Sequence, residues 1–150
     1  MTHGLRGPSP HLSWAELACH DHARTPYPLA WRETHAVTLA RTFEAIRALL
    51  GHEAIMILSG FRTDAYNATL EGAASKSQHV RGRALDLWHP AHEPLAVYLA
   101  IWKAQRRGEL PDLGGLGAYK SFTHVDVRPK VPPGHLARWA GRGVTLPEDA

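Results

Sequence analysis

The chain has 150 residues, enough for one domain that buries roughly two-thirds of the surface of its unfolded form. Hydrophobic residues (44%) and charged residues (21%) occur in the proportions of an ordinary globular protein, and no segment approaches the roughly 20 apolar residues of a membrane span. The net charge of +3 favours anionic partners, but no run of Lys and Arg interleaved with aromatic residues is present, so nucleic acid is not favoured.

The N-terminal segment does not resemble a signal peptide. Residues 1–14 lack the apolar core of a signal peptide, so we expect synthesis in the cytoplasm without one. Ser13 is placed to cap a short helix. Cys19 is the only cysteine, so the fold does not depend on an internal disulfide, and we interpret Cys19 as a small buried hydrophobe rather than a nucleophile.

Three elements are predicted between residues 29 and 72. Apolar residues recur at three- and four-residue steps over residues 29–50, which predicts an amphipathic helix. The run AIMILSG (54–60) is short, apolar and bounded by glycine, which predicts a buried strand. TDAYNATLEG (63–72) predicts a short helix with Thr63 or Asp64 as its cap.

The remaining sequence predicts further strands around one helix. GRALDLW (82–88) is a second strand, and residues 93–107 form a helix with an apolar side. GGLGAYK (114–120) and FTHVDVR (122–128) are two adjacent strands, joined as a hairpin. HLARWAG (135–141) predicts one weak helical turn.

These elements predict a single α+β domain with a small, mainly antiparallel sheet packed with helices. We expect its core to span residues 12–128. Residues 129–150 are expected to be a C-terminal tail rich in Pro and Gly.

Two of the predicted strands place polar side chains between apolar ones. Side chains alternate along a strand, so His124 and Asp126 share one face, and Asp86 lies opposite its leucine neighbours. A buried carboxylate needs a cation or hydrogen-bond donors, because desolvating its charge costs several kcal/mol. Zinc held by His79, Asp86 and His124 would meet that need. Pairing of Asp86 with a nearby arginine, Arg81 or Arg83, would also meet it, and spacing leaves both interpretations open.

Three segments resemble one known family. SQHVRGRALDL fits the S-x-H-x-x-G-x-A-x-D signature of the zinc D-Ala-D-Ala peptidases (peptidase M15-like, in the hedgehog/DD-peptidase superfamily). SGFRTDAYN resembles the segment that precedes this signature in those enzymes. GGLGAYKSFTHVDVR resembles the ending of a bacterial and phage branch that includes murein endopeptidases and carboxypeptidase-like members. The segments occur in the family's order, from about residue 12 to residue 128.

The resemblance implies a role for several residues. His79, Asp86 and His124 are implied as the zinc ligands. Arg62 is implied as a catalytic and substrate-binding residue that holds a substrate carboxylate or the oxyanion formed during peptide attack. The alternative for Arg62 is a structural ion pair with Asp64 or Glu71. The resemblance also implies that Ser77 binds substrate or steadies its loop. It implies that Asn67 assists Arg62 in binding substrate, and the alternative is that Asn67 is simply solvated.

The sequence departs from the family at the general base. Many relatives carry a glutamate three residues before the last histidine ligand, and Ser121 stands there in this chain. Asp126 is the nearest substitute, because it shares a strand face with His124. The competing interpretation makes Asp126 a group that orients a ligand histidine. We favour the base here, and a histidine from elsewhere in the chain is a third possibility.

We therefore expect a zinc-dependent metallopeptidase that hydrolyses peptide bonds of bacterial peptidoglycan, either as a D-Ala-D-Ala carboxypeptidase or as a murein endopeptidase of the endolysin type. Its partners would be peptidoglycan stem peptides, with no nucleic acid, and we expect a monomer. It would act on the cell wall after phage lysis or as part of a virion. The alternatives are a non-catalytic zinc-binding domain and a phage structural component that binds cell wall or a protein partner.

Overall fold

The computed structural model describes residues 6–70, 73–74, 77–130 and 135–147. They form an α+β structure with one five-stranded sheet, mostly antiparallel, which confirms the predicted class. The helices are α1 (Trp14–Leu17), α2 (His35–Leu49), α3 (Asp64–Thr69) and α4 (Pro94–Arg106), with a 3-10 turn at Leu29–Trp31. The strands are β1 (Met56–Ser59), β2 (Ala84–Trp88), β3 (Gly115–Ala118), β4 (Thr123–Asp126) and β5 (Ala137–Ala140). No helix in these ranges is both long and apolar enough to cross a bilayer.

The strands lie in the order β1-β2-β4-β3-β5, and only the β3–β5 pair is parallel. One face of the sheet is apolar. Leu85, Leu87, Leu116 and Val125 are at most 1% exposed on this face and join α2 and α4 in one hydrophobic core. Burying this face drives the helices onto the sheet and leaves the other face free for polar side chains.

The other face carries a row of residues in register across four strands. Asp86 of β2 lies opposite His124 of β4, His124 lies opposite Gly117 of β3, and Gly117 lies opposite Trp139 of β5. Because neighbouring residues alternate between faces, none of these four side chains contributes to the face that packs on the helices. Gly117 leaves room for its larger neighbours: a Cβ built there would lie 2.6 Å from the Trp139 ring.

The helix ends follow the local sequence. Ser13 caps α1, as predicted, through a reciprocal capping box with Glu16. Thr63 caps α3, since its hydroxyl accepts a hydrogen bond from the Tyr66 amide. The helix predicted over residues 29–50 is shorter than expected. It starts at His35, after Trp31 has turned to pack edge-on against the Tyr27 and Phe61 rings.

The predicted helical turn at residues 135–141 is wrong, because residues 137–140 form strand β5. A single isolated turn of helix is unstable, whereas the outer edge of β3 offers backbone partners along its whole length. Successive side chains of β5 point to opposite faces of the sheet. Arg138 donates to the Tyr98 hydroxyl (2.9 Å), while Trp139 lies on the polar face. The sheet therefore continues into the segment that we expected to be a tail.

Candidate metal centre

The three predicted metal ligands meet on the polar face of the sheet. Asp86 and His124 face each other on β2 and β4, and His79 comes from the turn before β2. Asp86 Oδ1 lies 3.2 Å from His79 Nε2 and 3.1 Å from His124 Nδ1. One ligand atom from each residue lies within 4.8 Å of the others. All three residues are buried, with His79, Asp86 and His124 exposing only 2%, 5% and 7% of their surface.

A sharp turn delivers His79 to this position. Gly82 has a φ of +68°, in the left-handed region that favours glycine, as expected for a turn between His79 and β2. The Tyr27 hydroxyl donates to the Gly82 carbonyl (2.6 Å), and the Trp31 ring lies so close that a Cβ at residue 82 would meet it at 2.6 Å. The turn is therefore held both by its own conformation and by the aromatic residues beneath it.

Hydrogen bonds on the far side of each imidazole determine which nitrogen is free. His79 Nδ1 donates to the Gly60 carbonyl (2.7 Å), which can only accept, so the lone pair of the neutral ring lies on Nε2. His124 Nε2 donates to Asp126 Oδ2 (2.8 Å), which leaves the lone pair on Nδ1. Both free nitrogens face the same oxygen of Asp86. Such an arrangement is repulsive unless a proton or a metal cation lies among the three atoms, and outer hydrogen bonds of this kind are typical of metal-binding histidines.

Burial and mutual contacts set the charge of each ligand. Burial alone would raise the pKa of Asp86, but the positive charge that His79 carries when protonated, and the hydrogen bonds that His124 and His79 donate in their protonated forms, outweigh it and hold that pKa well below its usual range. Burial lowers the pKa of His79 despite the nearby Asp86 carboxylate. Burial would also lower the pKa of His124, but hydrogen bonds to Asp126 and Asp86 raise it overall. Asp86 is therefore an anion at neutral pH, and His79 favours the neutral form that binds metals.

Asp126, which the sequence favours as the general base, is enclosed by Arg128 and His124. Asp126 is fully buried, and Arg128 donates to it from its backbone N (3.1 Å), Nε (2.8 Å) and Nη2 (2.7 Å). Burial would raise the pKa of Asp126, but hydrogen bonds from Arg128 and His124 lower it to about 2. Because a carboxylate so stabilised as an anion accepts protons poorly, we infer that Asp126 orients His124. Ser121 is exposed in the turn between β3 and β4.

Arg62 lies beside the cluster and is fixed by three hydrogen bonds. Its Nη2 donates to Asp86 Oδ2 (3.3 Å), its Nη1 to Asn67 Oδ1 (3.2 Å) and its Nε to Ser59 Oγ (3.1 Å). Asp86 thus pairs with Arg62 rather than with Arg81 or Arg83. A bulge between β1 and β2 pairs Ser59 with Asp86, a contact that the sequence did not predict.

The structure shows which acidic residue contacts Arg62 and where Asn67 lies. Among the described residues the acidic partner of Arg62 is Asp86, not Asp64, and Glu71 lies outside those residues. Asn67 is buried rather than solvated, and it is not among the residues that line the pocket. Its amide instead joins Arg62 to the Ala74 carbonyl, to which Nδ2 donates at 2.8 Å. Asn67 therefore positions Arg62.

The cluster lies at one side of an open pocket of about 340 Å³. Ser77 lines this pocket and also accepts a hydrogen bond from the His79 amide (3.2 Å), so it steadies its loop while its hydroxyl proton stays available. Several lining residues were not predicted from the sequence, among them Tyr119, Phe122, Arg128 and Trp139. The Tyr119 and Phe122 rings stack 4.4 Å apart, Trp139 Nε1 donates to the Tyr119 hydroxyl (2.8 Å), and the Trp139 ring lies 5.1 Å from that of His124.

A second group with metal-binding side chains lies outside this pocket and is a weaker candidate. Glu53, His89 and His92 also bring ligand atoms within 4.8 Å of one another. His89 Nδ1, however, accepts a hydrogen bond from the Ala91 amide (3.0 Å), so the neutral ring carries its proton on Nε2. The nitrogen that faces Glu53, at 3.8 Å, therefore has no lone pair to offer a metal. The first cluster alone has both imidazole lone pairs directed inward.

The chain matches a known family over most of its length. The family described as Peptidase M15 matches residues 10–126, which include α1 to α4, strands β1 to β4 and all three residues of the cluster. No curated protein shows a significant match to the chain. Because the match covers well over half of the chain, the protein belongs to the peptidase M15 family.

Proposed function

We propose that the protein is a zinc-dependent peptidase that cleaves peptide bonds in the stem peptides of bacterial peptidoglycan. The observation that carries this proposal is the convergence of two imidazole lone pairs on one oxygen of Asp86, at the side of an open pocket. Family membership supports a peptidase, and the donor set supports a metal.

The donor set suits zinc better than the common oxygen-binding cations. Two imidazole nitrogens and one carboxylate oxygen are the ligand types that zinc accepts, and catalytic zinc sites use three protein ligands. Calcium and magnesium prefer oxygen ligands throughout. When bound, zinc acts as a Lewis acid and lowers the pKa of a bound water towards about 7.

The residues of the chain divide the remaining tasks. Arg62 offers a fixed positive charge on the pocket side of Asp86, where it can neutralise a substrate carboxylate or the oxyanion of peptide attack. Asp126 orients His124, and Arg128 keeps Asp126 ionised. Arg128 also lines the pocket, so two guanidinium groups border the space that an anionic peptide would occupy.

One observation favours the alternative, a zinc-binding domain without catalysis. Among the described residues that line the pocket, Asp86 is the only carboxylate, and His79 and His124 are the only histidines. A free general base is thus missing from this part of the wall. In that case the protein would bind cell wall or a protein partner, for example as a structural component of a phage.

Digestion of purified peptidoglycan, followed by mass spectrometry of the products, tests the proposal. We expect new peptide termini with zinc present, none after chelation, and recovery when zinc is added back. The mass of each product identifies the bond and separates carboxypeptidase from endopeptidase action. Repeating the digestion with intact cell walls in place of purified peptidoglycan tests whether the protein acts on the cell wall.

Two aspartate variants provide the matched pair. Asp86→Ala should lose zinc and cleavage together, whereas Asp112→Ala, which breaks only a surface ion pair with Arg41, should keep both. Cleavage at the normal rate by Asp86→Ala would contradict the proposal. Stoichiometric zinc without any turnover would favour the non-catalytic alternative.

A further inference from the structure

A second cavity, of about 540 Å³, lies beside α1 and contains two arginines. Trp14, Tyr27 and Pro26 form much of its apolar wall, and Arg24 and Arg32 supply its positive charge. No carboxylate of the described residues forms an ion pair with either arginine. Two cations facing one cavity repel each other, so their placement together favours an anionic occupant.

The side chain of Arg32 is held in place by an aromatic contact, but one of its hydrogen-bond donors has no acceptor among the described residues. Its guanidinium carbon lies 4.3 Å from the centroid of the Trp14 ring, a cation–π contact that fixes the side chain against the wall. Its Nε is buried and has no hydrogen-bond partner among the described residues. A buried donor without an acceptor is unusual in folded proteins, and it leaves part of the hydrogen-bonding capacity of this guanidinium unused.

Arg24 is held by a strained turn. Its φ of +51° lies in the left-handed region, which is costly for a residue with a side chain. Asp21 imposes this conformation: its carboxylate accepts hydrogen bonds from the Thr25 amide (2.8 Å) and hydroxyl (2.6 Å), and its carbonyl accepts from the Arg24 amide (3.1 Å). The turn thus keeps Arg24 at the cavity at a cost to stability.

The helix beside the cavity contacts the segment that carries Arg62. The Leu17 carbonyl accepts a hydrogen bond from the Phe61 amide (2.9 Å), which brings the segment after α1 next to Arg62. The pKa of His20, three residues after Leu17, is lowered first by burial and then by the positive charges of Arg24 and Arg62. The cavity and the candidate metal centre are therefore built on chain segments that contact each other.

We infer that this cavity, defined by Trp14, Arg24, Tyr27 and Arg32, is an accessory subsite for a carboxylate of the stem peptide, away from the bond that is cut. The choice of stem peptide rests on the proposed function. The two arginines bind the carboxylate, and the aromatic wall covers the adjoining apolar atoms.

Binding is tested by NMR on the full-length, ¹⁵N-labelled protein, with the indole N–H of Trp14 as the reporter. The probe is the tripeptide L-Ala-γ-D-Glu-meso-diaminopimelate, and the control is the same peptide with its carboxyl groups amidated. We expect a saturable shift of the Trp14 signal with the acidic peptide and none with the amidated one. Absence of a saturable shift at millimolar peptide would overturn the inference.

Arginine variants locate the contact. Arg24→Gln and Arg32→Gln should each weaken binding about tenfold, the loss expected for one charge-assisted hydrogen bond. The matched control is Arg106→Gln, which removes another arginine stacked on a tryptophan, 5.0 Å from the Trp102 centroid, and should leave binding unchanged. Arg24→Gly keeps the fold, because glycine accepts a positive φ, and should still bind weakly. Equal affinity in all variants would contradict the subsite.

Two further binding experiments distinguish failure of this inference from failure of the proposed function. Asp86→Ala removes the metal centre, and its Trp14 response should persist, so a protein without peptidase activity still tests the subsite. Glycerol phosphate tests whether another anion of the cell wall is the occupant. Saturable binding of glycerol phosphate without binding of the tripeptide would overturn the assignment to the stem peptide.

Discussion

Asp126 and Arg128 form a hydrogen-bonded chain that ends on His124, and Arg128 also lines the pocket. Asp126 accepts from His124 Nε2, and Arg128 donates to both Asp126 oxygens. We expect Asp126→Asn to weaken zinc binding about 10–100-fold, as for other residues that orient a metal-binding histidine, and excess zinc to restore turnover. Equilibrium zinc titration and peptide hydrolysis at two zinc concentrations measure this. If Asp126 were the base, zinc affinity would be unchanged and turnover would stay low at any zinc concentration.

The raised pKa of His124 predicts how zinc binding depends on pH. A protonated imidazole cannot bind the metal, and hydrogen bonds hold the pKa of His124 above its ordinary value of 6.5. Apparent zinc affinity should therefore fall about tenfold for each pH unit below that raised pKa and level off above it. Competition with a chromophoric chelator between about pH 5 and pH 8 measures the trend. Constant affinity over this range would exclude His124 as a ligand.

Asn67 provides a test of Arg62 that leaves the metal ligands intact. Asn67→Ala removes one of the three acceptors that fix Arg62, so turnover should fall about tenfold while zinc content stays the same. Thr69→Ala is the control: it lies on the same helix, and among the described residues its hydroxyl bonds only to the Tyr66 carbonyl. Loss of zinc in Asn67→Ala would show that Asn67 acts on the fold instead.

At the scale of elements, β5 shapes the pocket through Trp139, although it lies beyond the residues that the family match covers. Gly117→Ala places a methyl group against the Trp139 ring and should destabilise the protein by about 1–3 kcal/mol. The cost should shrink when Trp139→Ala is also present, because the clash is then removed. Urea unfolding of the two single variants and the double variant measures this coupling. Additive costs would contradict it.

Strand β5 also illustrates which features could not be predicted from the sequence. Alternation along a strand predicted that His124 and Asp126 share a face, because that follows from local geometry. The side of β3 on which residues 137–140 pair depends on contacts distant in the chain, and a four-residue segment carries too little pattern to reveal it. Ser59 was missed for a similar reason, since only the bulge in β1 brings it to Asp86. The role inferred for Asp126 depends on its contact with the Arg128 side chain, and the sequence does not show that this contact forms.

For the whole molecule, the fold should not depend on the metal. The hydrophobic core is continuous and lies on the face of the sheet opposite the metal centre. We expect chelated protein to keep its circular dichroism spectrum. Zinc at 100 times its dissociation constant contributes about 2.7 kcal/mol, which should raise Tm by roughly 5–10 °C. Unfolding on chelation would show that the metal is structural.

The pairing of Asp86 with His124 has a consequence for folding. His79 and Asp86 are neighbours in the chain, but His124 joins them only when β2 and β4 pair in the observed register. A slip by one residue would turn His124 to the opposite face and separate the cluster. A bound cation would therefore stabilise only the chains that have paired correctly, and its uptake during refolding would report the moment at which the centre of the sheet closes.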